Sequence, residues 1–159
     1  MATYNRTVTG GGTVGHPSNA AVPYVVTSPV WDTADGGTGG DVIQLVDVPA
    51  DTMIVAGCLE VLEARGNGQI TVDVGFTGGD VDCFIDGSAC AAGFTPFLEA
   101  AVGASGSNAR ILTSADTIDA LILDGGSTGE SALRFRLHVC MVDISRNPLT
   151  EAATVSTGT

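Results

Sequence analysis

Apolar and polar residues alternate along several short stretches of this chain, which is the two-residue period of a β-strand. Residues 70–76 show the cleanest alternation, with isoleucine, two valines and phenylalanine on one face and Thr71 and Asp73 on the other. Residues 133–144 form the last long stretch. Its apolar residues point one way, and Arg134, Arg136 and His138 point the other way. Both stretches therefore predict strands that bury one face.

Shorter stretches predict further strands at 22–27, 42–48, 53–62, 109–113 and 117–123, and residues 95–101 predict a strand or a single helical turn. Residues 42–48 carry apolar side chains on both faces, which predicts burial on both sides and leaves the register open. An Asn-Gly pair within Arg65–Gly68 predicts a hairpin turn. Residues 77–93 are predicted to be a loop, with a short apolar piece around Phe84 and Ile85.

About eight short strands, glycine-rich turns and the absence of a helical 3.6-residue period indicate an all-β fold. The prediction is an antiparallel β-sandwich of the jelly-roll kind with an extended N-terminal arm. The arm spans 1–21, the sandwich 22–146 and a C-terminal tail 147–159. The arm is polar and rich in glycine, so we expect it to be disordered alone or ordered by a neighbour.

The charge balance excludes several classes of partner. The 159 residues carry a net charge of −12, with six arginines and no lysine. Binding to nucleic acid or to an anionic membrane depends on Lys and Arg, so we predict neither. Residues 1–7 lack the pattern of a signal peptide, so we expect the protein to be made in a reducing cytoplasm with four free thiols.

Candidate chemistry is sparse. Asp80, Asp82 and Asp86 share one loop that could hold Ca²⁺ or could simply be solvated, and their spacing does not match an EF-hand. The two histidines, His16 and His138, lie too far apart to predict a zinc site. No nucleophile elbow or phosphate-binding loop is present. We therefore predict no catalytic residue, no metal and no cofactor, and a protein that is not an enzyme.

The outward residues of the last strand, Arg134, Arg136 and His138, have two interpretations. They could form a solvated sheet face, or they could form a charged contact surface between subunits, since arginine is favoured at interfaces. In a chain this acidic, an isolated positive stripe is the best candidate for a subunit contact, and both interpretations stay open.

The segment from Asp41 to Phe76 resembles small structural proteins of tailed bacteriophages. It combines an Asp-Val-Ile-Gln-Leu strand, a Pro-Ala-Asp-Thr turn, an apolar strand and a Thr-Val-Asp-Val-Gly strand. Residues 114–121 and the strand at 133–143 are similar to the same class. The resemblance implies a capsid decoration (cement) protein, usually a homotrimer, which binds the major capsid protein on the outer surface of the virion.

Under this hypothesis the protein stabilises the head by bridging neighbouring capsomers, through many weak contacts that act together. The expected interface residues are the two arginines named above and four apolar anchors: Tyr4, Val14, Tyr24 and Trp31. Two alternatives stay open. One is a component of the tail or of a head fibre, and the other is a carbohydrate-binding sandwich module, which would need an exposed aromatic such as Trp31.

Overall fold

The computed structural model describes residues 3–8, 22–32, 39–64, 70–76, 78–97, 110–123 and 133–145. These ranges contain eleven β-strands and no helix that could span a membrane. In chain order the strands are β1 (Thr3–Val8), β2 (Tyr24–Thr27), β3 (Trp31–Asp32), β4 (Val42–Val48), β5 (Thr52–Glu63), β6 (Thr71–Gly75), β7 (Ile85–Ala89), β8 (Gly93–Pro96), β9 (Arg110–Leu112), β10 (Asp116–Ile122) and β11 (Arg134–Asp143).

The strands form two sheets with jelly-roll connectivity. Sheet A has the order β1-β4-β10-β6-β7, and sheet B has the order β2-β11-β5-β8, with β3 also paired to β11 and β9 to β5. Without β1, β3 and β9, eight strands remain. The first, eighth, third and sixth form one sheet, and the second, seventh, fourth and fifth form the other. This is the jelly-roll arrangement of two Greek keys, and the predicted all-β sandwich is confirmed.

The predicted N-terminal arm begins with a strand. Residues 3–8 form β1, which pairs in parallel with β4 at the edge of sheet A, where Thr3 lies beside Val42. All other strand pairs in the described residues are antiparallel. This part of the arm is therefore ordered by the chain's own sheet, whereas we had expected disorder or a neighbouring molecule. Residues 9–21 lie outside the described residues.

The ambiguous pattern of β4 has a local cause. Ile118 of β10 lies opposite Val46 and Asp119 lies opposite Gln44, so Leu45 is an extra residue on β4. Such a bulge shifts the alternation by one position. Leu45 and Val46 are consequently both buried in the core, and the two-sided apolar pattern still produces a single inward face.

The core between the sheets is filled by aliphatic and aromatic side chains. An aromatic row crosses it at one end, because the Phe84 ring contacts Phe76 edge-on at 5.3 Å and stacks on Phe97 at 4.5 Å. Phe97 fits because Gly57 of β5 has no side chain, and a Cβ there would come within 2.2 Å of the ring. The small residue on β5 thus makes room for a large one that directly follows the neighbouring strand β8.

Most predicted strands are confirmed, with ends that differ by one or two residues. The main correction concerns 77–93, which was predicted as a loop and contains β7 and the start of β8. Gly87 and Gly93 interrupt the apolar–polar alternation there, because glycine adds no side chain to the pattern. Both glycines adopt positive φ angles, which are unusual in a strand. The predicted hairpin turn falls within 65–69, outside the described residues.

Candidate interface on the outer face of sheet B

The outer face of sheet B collects most of the side chains that the sequence singled out. Along β11, Phe135, Leu137 and Val139 point into the core, and the residues between them point outward. Arg136 and His138 therefore project from the middle of the sheet, as the alternation predicted.

A single carboxylate neutralises the middle of this face. Glu60 of β5 lies opposite Arg136 in the ladder, and the Arg136 Nε–H donates a hydrogen bond to Glu60 Oε2. His138 Nε2 lies 2.9 Å from the same oxygen. On its other side, His138 Nδ1 lies 2.9 Å from the Thr27 hydroxyl. The hydrogen bonds from Arg136 and His138 hold the pKa of Glu60 below its ordinary value.

The second arginine of the stripe is also paired. Arg134 Nε lies 3.6 Å from Asp32 Oδ2, because β3 runs beside the first residues of β11. The expected isolated positive stripe is therefore wrong: each arginine has an acidic neighbour in the same chain. Those neighbours lie on β3 and β5, which are far from β11 in the sequence, so the sequence alone did not indicate the pairing.

Exposed apolar side chains surround the paired charges. Val25, Phe94 and Ile111 are 66%, 68% and 56% exposed. Each lies opposite an outward residue of its partner strand, so all three project from the same side of the sheet. We call this surface, formed by the outward side chains of β2, β11, β5, β8 and β9, the B face.

Phe94 is the functional candidate that the sequence analysis missed. Its ring centroid lies 6.4 Å from that of His138, and it stands beside the charged group at the edge of the sheet. The signal was weak, because β8 contains four residues and Phe94 is flanked by Gly93 and Thr95. An aromatic residue between glycine and a β-branched residue was the available clue.

The proposed aromatic anchors occupy different environments. Trp31 is 1% exposed and packs against Phe135 with ring centroids 5.1 Å apart. It is a core residue, so its expected role as a surface anchor is corrected. Ser28 helps to hold the chain against β11 just before β3. Its buried hydroxyl accepts a hydrogen bond from the Leu137 N–H at 2.9 Å.

Tyr24 is half-buried and packs on the core from β2. Burial, the nearby Asp143 carboxylate and a hydrogen bond with Thr52 act on its phenol, and the net effect raises the pKa. Tyr4 belongs to β1, and Val14 lies outside the described residues. The structure therefore brings Arg134 and Arg136 together on the B face, and it places Trp31 and Tyr24 against the core instead.

The acidic loop holds a different arrangement from a metal site. Asp80 hydrogen-bonds to Asp82, which raises the pKa of Asp80. The Arg110 guanidinium lies 3.9 Å from the Asp80 carboxylate and 5.0 Å from the centre of the Phe76 ring. Among the described side chains, no three His, Cys, Asp or Glu residues converge as a metal ion requires. Arg110 instead connects β9 of sheet B to the loop after β6 of sheet A.

Burial suppresses the reactivity of the two most buried cysteines. All four are free. Burial raises the pKa of Cys83 to about 11 and that of Cys90 to about 12, so both remain protonated thiols near neutral pH. Cys58 and Cys140 are half-buried on the B face, and burial also raises the pKa of Cys58.

The fold of this protein is similar to that of several solved structures. No protein-family model and no curated protein matches the sequence. Among solved structures, a chain of the capsid of Ralstonia phage GP4 is 20% identical, with a TM-score of 0.58 over 89% of this chain and 98% of that one. A chain of the capsid asymmetric unit of cyanophage Pam1 is 14% identical, with a TM-score of 0.59 over 85% and 96%.

A third similar chain comes from the acid-stable capsid structure of Helicobacter pylori bacteriophage KHP30. It is 18% identical, with a TM-score of 0.56 over 77% of this chain and 88% of that one. This chain thus shares its β-sandwich fold with chains from three phage capsid structures. The likeness covers most of each chain and therefore concerns the whole fold.

Proposed function

We propose that this protein is a structural component of a bacteriophage virion, and specifically a capsid decoration protein. It binds the major capsid protein on the outer surface of the shell and stabilises the head. The observation that supports this most directly is the likeness of nearly the whole chain to chains from three phage capsid structures. The pattern of residues 41–76 independently suggested the same class.

The charge distribution supports a position outside the shell. The net charge of −12 and the absence of lysine disfavour contact with packaged DNA. The strands β4, β6, β7 and β10 carry five aspartates and no arginine. Asp73 and Asp119 are buried, and the other three, Asp47, Asp86 and Asp116, add negative charge that suits a solvent-facing surface. We propose that three copies assemble as a homotrimer on the shell, and that Tyr4 and Val14 of the N-terminal arm contact a neighbour.

Binding to purified heads tests this function. Heads of the source phage that lack the protein are mixed with the purified chain and pelleted through a density cushion. We expect saturable co-sedimentation with mature, expanded heads and a higher temperature of DNA release, since each bound copy adds contacts between capsomers. Electron microscopy of the saturated heads then locates the protein. Failure to pellet with heads would contradict the proposal, and density confined to the tail would identify a tail component.

A further inference from the structure

Among the described residues, the exposed large apolar side chains are concentrated on the strands of sheet B. Of the six large hydrophobic side chains that are exposed in the described residues, four belong to strands of sheet B: Val25, Leu62, Phe94 and Ile111. Clustered exposed apolar groups at the surface of a soluble domain mark contacts with other macromolecules. Covering the B face would therefore bury more exposed apolar side chains than covering the other described surfaces.

The charges of the B face indicate which partner covers it. Arg134 is paired with Asp32, and Arg136 is paired with Glu60, so these two cations and two anions cancel, and Glu63 adds one further outward carboxylate. Copies of this chain each carry a charge of −12 and repel one another over most approaches. The repulsion is weakest where the surface charge is closest to balance, which favours the B face as a contact between identical copies.

The order of charges across the sheet is also self-complementary. The outward cations belong to β11, and the acidic residues Glu60 and Glu63 belong to the adjacent β5. A two-fold axis that runs along the strands between β5 and β11 would lay β11 of one copy over β5 of the other. Cations would then face carboxylates twice, because a two-fold contact uses the same surface on both copies.

The same rotation brings the two edges of the sheet together. The strand order β2-β11-β5-β8 places Val25 at one edge and Phe94 at the other. After a two-fold rotation, the β2 edge of each copy faces the β8 edge of its partner. Apolar side chains at both edges would then surround the paired charges at the centre and limit the access of water to them.

We propose that the B face binds the B face of a second copy of this chain through a two-fold contact. The contact is separate from any three-fold contact of a decoration trimer and does not require the proposed function. It gives a dimer when it acts alone, and a hexamer when a three-fold contact also forms. An even number of subunits is therefore its signature.

The test is the mass of the purified full-length chain by light scattering across a range of concentrations. We expect the wild type to reach an even number of subunits. Phe94→Glu and Val25→Glu, each made separately, should halve that mass, because a carboxylate is buried against an already acidic partner. Leu123→Glu is the matched control, since Leu123 is 45% exposed and follows β10 of sheet A, and it should leave the mass unchanged.

A wild type with an odd number of subunits, or B-face variants that keep the wild-type mass, would overturn the inference. Circular dichroism spectra establish that each variant is folded. Head binding is measured on the same samples. If Phe94→Glu keeps its mass but no longer pellets with heads, the B face meets the shell, and the self-contact is wrong while the proposed function stands. If the mass halves but even the wild type does not pellet, the self-contact stands alone.

Discussion

The two sheets share one core but present opposite outer surfaces. The strands β4, β6, β7 and β10 of sheet A carry five aspartates and no basic residue. The strands of sheet B carry four acidic residues and three arginines, and they expose Val25, Phe94 and Ile111. Inward positions on both sheets are mostly apolar, with Arg110 and Thr52 among the exceptions. The surfaces that can distinguish one partner from another are therefore found at the outward positions.

The contrast assigns two roles, solubility and contact with a partner, to opposite sides of the sandwich. The loop after β6 covers part of the outer face of sheet A. Its backbone lies so close to Gly75 that a Cβ there would come within 2.3 Å of the Asp80 carbonyl oxygen. Sheet B leaves its charged row open and pairs the charges within the chain. Negative charge on one side favours solubility, whereas a balanced and partly apolar surface on the other side permits contact.

The largest expected effect is a loss of stability when Trp31, on the inner side of sheet B, is replaced. Trp31→Ala should lower the free energy of unfolding by about 3–5 kcal/mol, which is typical of removing a buried aromatic side chain. The Trp31 ring packs on Phe135 and is 1% exposed, so its loss leaves a cavity. Urea unfolding followed by circular dichroism is the appropriate measurement, because Trp31 is the single tryptophan and its fluorescence is lost.

Trp31→Phe is the matched control and should lose much less stability, since a ring still packs on Phe135. Equal stability of Trp31→Ala and the wild type would mean that the side chain lies on the surface. That outcome would restore the anchor role that the sequence suggested, and it would move an aromatic residue onto the B face.

The sequence was sufficient to predict the class of fold and the inward face of the long strands. The period of two in β6 and β11 predicted which residues face the core, because the side of a sheet on which a residue lies is a local property of a strand. It did not predict that Asp73, on the other face of β6, is also buried. It could not predict that Glu60 neutralises Arg136, since the two residues are 76 positions apart and sheet pairing creates their contact. Trp31 was placed outside for a related reason: β3 has two residues, too few to show a period.

The next prediction concerns the covered part of sheet A. Gly75→Ala should cost about 1–3 kcal/mol, which is the usual range for an overpacked site, because the new methyl group meets backbone atoms of Asp80 and Val81. Gly79→Ala in the same loop is the control, since its Cβ would lie 3.7 Å from Phe76 in ordinary contact. Urea unfolding should separate the two variants clearly. Equal losses would indicate that the loop does not cover Gly75.

The smallest effects concern pH, where the two sheets should respond with opposite signs. Glu60 on sheet B has a lowered pKa, from the hydrogen bonds of Arg136 and His138. Its stabilisation is present above its ordinary pKa of 4.5 and is lost as the pH falls through the lower value in the folded protein. Glu60→Gln should therefore lower the urea midpoint near neutral pH and converge with the wild type in acid.

Asp73 on sheet A should behave in the opposite way. Burial raises its pKa, although the Gly87 N–H donates to its Oδ1 at 2.7 Å. The folded state is thus penalised above the raised pKa, and the penalty disappears as the pH falls below the ordinary value of 3.8. Asp73→Asn keeps an acceptor for Gly87, so it should raise the urea midpoint near neutral pH and match the wild type in acid. The exposed Glu63→Gln serves as a control, and shifts of the same sign for Glu60→Gln and Asp73→Asn would mean that the two outer surfaces do not differ in how they hold charge.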